Sequence, residues 1–103
     1  MNVLKAMFLS ILFLSGFIHA SPEIIVAKTV VYKTSDGVTL NLHVYNPKNF
    51  DKQKTYNAII FFHGGGWNNG SHKAFKRQSM YLASRGMVAI SVEYRLKNTH
   101  GTT

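Results

Sequence analysis

No cysteine occurs among the 103 residues, so neither a disulfide nor a thiolate site contributes to fold or chemistry. The same absence removes the modified cysteine on which a lipid anchor at the N-terminus would depend. Acidic residues are scarce, four against twelve lysines and arginines, which leaves a formal net charge of +8. The basic residues between Lys28 and Lys97 form no dense run and accompany no recognition motif, so nucleic acid is not an expected partner. The imbalance is read instead as one that a longer polypeptide compensates with acids elsewhere. Long apolar runs are missing as well. The longest, from Ala6 to Ile18, is interrupted by Ser10, Ser15 and Gly16 and is too short for a comfortable membrane span. The five histidines show neither H-E-x-x-H nor any other metal-ligand spacing, so no metal is expected. No cofactor motif is present either, since G-x-G-x-x-G does not occur.

What is present bounds the chain further. Its length allows one domain at most, below the usual size of a complete α/β enzyme. Hydrophobic content of 46% and charged content of 16% exclude wholesale disorder. The N-terminus has signal-peptide anatomy: Lys5 supplies the positive region, Ala6 to Ile18 the apolar one, and Ala20 the small residue at the cleavage position. Residues 1–20 are therefore expected to be removed on export, periplasmic or secreted. Residues 21–103 then form the mature segment, with no stable membrane span.

Along that segment, the apolar residues between Glu23 and Lys33 suggest a strand, and Asp36-Gly37 a tight turn. Val38, Leu40, Leu42 and Val44 then alternate with Thr39, Asn41, His43 and Tyr45, the period of a half-buried strand with His43 on its solvated side. Pro47 ends the strand and Lys48 to Asn57 reads as a loop. Ala58 to Phe62 is apolar without alternation, as in a parallel strand covered on both faces. Ser71 suits an N-cap for a helix from His72 to Arg85, with Ala74, Phe75, Tyr81 and Leu82 on its inner stripe. Gly86 stands at the C-cap, and Met87 to Val92 forms another apolar strand. An antiparallel hairpin thus feeds a parallel βαβ unit, an α/β arrangement.

The most informative feature is the run His63-Gly64-Gly65-Gly66-Trp67 directly behind Ala58–Phe62. Three glycines at a strand end cost backbone entropy and pack nothing, so the backbone itself must approach something or aim its N–H groups outward. A phosphate cradle is one use of such a turn, but the lysine of the P-loop pattern is absent. A purely structural turn is another. Ester hydrolysis explains more of the residues, because developing charge on a carbonyl oxygen is stabilised by backbone N–H donors.

With Asn69-Gly70-Ser71 opening the next helix and Ser91-Val92-Glu93-Tyr94-Arg95-Leu96 after the next strand, the segment resembles the HGGG-type α/β-hydrolases. These are hormone-sensitive-lipase-like esterases and bacterial acetyl or feruloyl carbohydrate esterases. The resemblance runs from about Val30 to the C-terminus and implies the N-terminal part of an α/β-hydrolase fold. It implies that the N–H groups of Gly65 and Gly66 form an oxyanion hole and that Gly64 permits the turn. His63 would brace the loop by ring hydrogen bonds, not act as the base. Trp67 would wall the substrate pocket or pack in the core, and Tyr94 and Arg95 would form a structural corner.

The substrate implied is a small-molecule or carbohydrate ester, with no cofactor. The G-x-S-x-G nucleophile motif of these enzymes is not found: Ser71, Ser84 and Ser91 all lack its context. A triad improvised from Ser71, His72 and Asp51 has no support. The expectation is a fragment of an exported carboxylic-ester hydrolase, inactive by itself. The alternative is a small secreted non-catalytic module that reuses the substructure.

Overall fold

The computed structural model describes residues 24–101. The expected signal peptide (1–20), Glu23 at the start of the expected first strand, and Thr102 and Thr103 lie outside them.

Four strands form one sheet: β1 (Lys28–Ser35), β2 (Val38–Tyr45), β3 (Ala58–Phe62) and β4 (Val88–Val92), in the order β1-β2-β4-β3. The hairpin β1–β2 is antiparallel and closes through Asp36 (φ 53°) and Gly37 (φ 76°), the two left-handed residues that this short turn requires. β2 pairs antiparallel with β4, and β4 pairs parallel with β3, as the intervening helix demands. β1 starts at Lys28, later than expected, because Lys28 already faces Val44 and the partner strand ends at Tyr45. Its register shifts between Val31 and Lys33, a bulge that frees Tyr32 to donate its hydroxyl to the Glu93 carbonyl at 2.5 Å.

The expected helix is divided. His72–Phe75 is a 3₁₀ turn and Lys76–Ser84 is helix α1; a short helix α2 (Lys97–His100) follows β4. Ser71 caps the turn as expected, accepting from the Lys73 N–H at 3.2 Å. The buried Ser91 hydroxyl donates to the His72 carbonyl at 2.8 Å, while the Lys76 N–H bonds back to the Lys73 carbonyl. The first turn therefore closes with i→i+3 bonds. At the other end Gly86 (φ 94°) donates to Ala83 and Met87 to Leu82, the paired bonds of a Schellman stop.

The core sits between α1 and one sheet face, with Tyr45, Ala83 and Ala89 at its centre and Ile59, Phe61, Met80 and Leu82 packed around them. The inner stripe differs from the expected one. Tyr81 and Ala74 face outward, and the buried helical positions are the small Ser79 and Ala83, which let the helix lie close to the sheet. β3 also differs: Ile59 and Phe61 are packed, but Ile60 is 54% and Phe62 63% exposed, so a cover for its second face is not among the described residues.

Candidate functional site

The parallel strand β3 delivers its last residue to the C-terminal edge of the sheet, where open α/β sheets bind ligands. The glycine loop begins there. Its backbone takes left-handed conformations at Gly65 (φ 130°), Gly66 (φ 61°), Trp67 (φ 61°) and Gly70 (φ 105°). Gly65 has no alternative: a Cβ would lie 1.9 Å from the Asn69 carbonyl oxygen. The Gly65 carbonyl accepts from Asn68 and Asn69, which closes the turn. The N–H groups of Gly65 and Gly66 donate to no carbonyl among the described residues.

Two elements hold this loop. Tyr94, just past β4, stacks its ring on His63 at 4.4 Å and donates its hydroxyl to the His63 carbonyl. The same hydroxyl oxygen lies 3.3 Å from His63 Nδ1, whose ring nitrogen also meets the Gly64 carbonyl at 2.8 Å. His63 is buried and spent on the loop's own backbone. Downstream, the Lys97 N–H donates to the Trp67 carbonyl at 2.8 Å and the Asn98 N–H to the Asn68 carbonyl at 3.0 Å. The start of α2 thus clamps the far side of the loop.

A cavity of about 640 Å³ opens against this arrangement, lined by Phe62, His63, Gly64, Gly66, Trp67, Tyr94 and Arg95. Trp67 is 74% exposed and lines the cavity, and no described residue packs its ring into a core. Arg95 pairs across the surface with Asp36 at 3.3 Å, tying the corner to the hairpin turn. No triad gathers from the improvised set. Ser71 is occupied as a cap, and the Asp51 carboxylate accepts from Gln53 in its own turn.

One cluster was not visible in the sequence. His43, expected to be solvated, is only 13% exposed at its side chain and contacts Glu93 at 2.5 Å, Nε2 to Oε2. Its ring stacks on that of His72 at 3.5 Å with 7° between planes. The odd-numbered face of β2 is covered here by the turn before α1, so the alternation that marks His43 as polar does not leave it in water. Burial, with the neighbouring His43, holds the His72 imidazole below its ordinary pKa. Donor atoms of His43, His72 and Glu93 lie within 4.8 Å of one another, a metal-capable set that no spacing rule reveals.

Known proteins share this fold. The chain superposes on the apo form of Thermogutta terrifontis esterase 2 with a TM-score of 0.72 and 42% identity, over 79% of this chain and 30% of that one. The butyrate-bound esterase from the same species gives a TM-score of 0.72 and 42% identity, over 75% and 28%. Tuliposide A-converting enzyme b1 of Tulipa gesneriana is 31% identical over 86 residues, 81% of this chain and 22% of the enzyme. Neuroligin-like protein glit-1 of Caenorhabditis elegans is 43% identical over 62 residues, 59% of this chain and 8% of that protein. The chain spans less than a third of the length of each. The BD-FAE family model matches residues 42–103, the stretch that holds the glycine loop, its Tyr94 brace and the α2 clamp. The chain belongs to the BD-FAE family and has the architecture of the N-terminal part of an α/β-hydrolase fold.

Proposed function

We propose that this segment supplies the oxyanion hole of an exported carboxylic-ester hydrolase. The observation that carries the reading is the pair of N–H groups at Gly65 and Gly66. Both belong to a strained loop beside the cavity, and neither donates to a carbonyl among the described residues. Attack on an ester carbonyl transfers charge to its oxygen, and fixed donors beside it need no reorganisation as that charge develops. His63 and Gly64 support the loop, and Trp67 walls the acyl or alcohol pocket. The ester is a small molecule or an acylated carbohydrate. Residues 1–20 direct export. The nucleophile, acid and base come from sequence outside this chain, which alone hydrolyses nothing.

The test uses a full-length protein that contains the segment. Gly65→Ala is a poor probe because its Cβ collides with backbone. Gly66→Ala has room, its nearest neighbour lying 3.9 Å away, yet it penalises the φ of 61° that aims the donor. A deleted donor corresponds to about 2.7–4 kcal/mol of transition-state stabilisation, or roughly 10²–10³-fold in kcat. Gly66→Ala keeps the N–H and shifts its aim, so kcat on a short-chain nitrophenyl ester should fall by less than that, with little change in KM. An unchanged kcat in the folded variant removes the assignment.

A further inference from the structure

We propose that His43, His72 and Glu93 bind one divalent transition-metal ion of the zinc class, which ties β2, the turn before α1 and the end of β4 together. The donor set is two imidazoles and one carboxylate, which suits zinc and not the all-oxygen shells of calcium or magnesium. Tetrahedral ligands at ordinary zinc bond lengths stand roughly 3.4 Å from one another. The donor atoms here lie within 4.8 Å, so side-chain torsions of modest size bring them to that spacing. In doing so the 2.5 Å contact between His43 and Glu93 opens, and the stacked rings turn their nitrogens inward.

A second observation points the same way. His72 Nδ1 is buried and has no hydrogen-bond partner, a cost that ligation through this atom removes. Side-chain exposures of 13% at His43 and 27% at Glu93 admit the ion and leave a fourth position for water. None of the three residues lines the 640 Å³ cavity, and His72 and Glu93 face a smaller cleft shared with His63 and Gly70, so the proposal does not depend on the hydrolase reading.

The full chain, stripped with a chelator and kept at low micromolar concentration, is titrated with Zn²⁺ alone by calorimetry. Co²⁺ is then substituted as a spectroscopic probe. The expected result is one equivalent bound, with the intense visible bands of tetrahedral Co²⁺. His43→Gln and His72→Gln should each weaken Zn²⁺ binding at least tenfold and abolish those bands, whereas His100→Gln should not. No saturable binding by the unmodified chain overturns the proposal. So does binding that both cluster variants retain, or that His100→Gln loses equally.

Discussion

Gly70 and Tyr94 fix His63, and through it the start of the glycine loop. A Cβ at Gly70 would lie 2.4 Å from the Gly64 carbonyl oxygen and 2.7 Å from His63 Nδ1, so only glycine lets the loop fold back on the histidine. Gly37 offers the control: its φ of 76° is equally left-handed, but nothing lies within 4 Å of a Cβ there. Gly37→Ala should therefore cost only the conformational penalty, about 1 kcal/mol. Gly70→Ala should cost at least twice as much, read as the larger drop in Tm of the full-length protein; equal losses would show that the loop yields freely. Tyr94→Phe keeps the ring stack but strands the His63 carbonyl, an expected loss of about 1–2 kcal/mol with kcat lowered more than KM is raised. The glycine run was legible because its peculiarity is local: residues that pack nothing, placed together at a strand end. Glu93 and His43 were not, because they stand 50 positions apart and only the β2–β4 pairing makes them neighbours.

Elements were legible where the pattern along the chain decides them, and less so where a neighbouring element does. The Asp36-Gly37 turn and the Gly86 stop follow from left-handed positions that any sequence must fill with such residues. The 3₁₀ opening of the helix depends instead on the hydroxyl of Ser91, a residue of β4 that reaches the His72 carbonyl. This contact carries a prediction. Ser91→Ala leaves that carbonyl free to accept from the Lys76 N–H, so the turn should gain i→i+4 bonding while the cluster beside it loosens. Amide hydrogen exchange at Lys76 should slow relative to the parent, and unchanged exchange there would mean that the turn is set by Ser71 alone. Ser71→Ala tests that cap directly, with an expected loss of about 1 kcal/mol.

Among the described residues the sheet has one face packed by α1, while on the other Leu40 and Val92 are buried and the β3 portion is open. α1 covers Tyr45, Ala89, Ile59 and Phe61, while Ile60 and Phe62 on the opposite face of β3 remain 54% and 63% exposed. β3 is also the last strand in the order β1-β2-β4-β3, so its outer row of backbone groups has no partner strand among the described residues. Sequence alone reads β3 as covered on both faces because all five of its side chains are apolar, and a parallel strand ordinarily is. An apolar edge without proline or charge is a template for pairing with another chain. The 103-residue chain by itself should therefore associate at tens of micromolar, eluting above its monomer mass of 11.6 kDa and binding a hydrophobic dye. Ile60→Lys puts a charge on the open face at a position the core does not use, so it should shift the population toward monomer and leave the far-ultraviolet circular dichroism unchanged. Phe61→Lys is the contrast, because that ring packs on Phe75 at 4.7 Å, and its loss should unfold the contact between β3 and the 3₁₀ turn instead. A wild-type chain that stays monomeric and dye-silent across this concentration range would show that the open face and edge are protected from association.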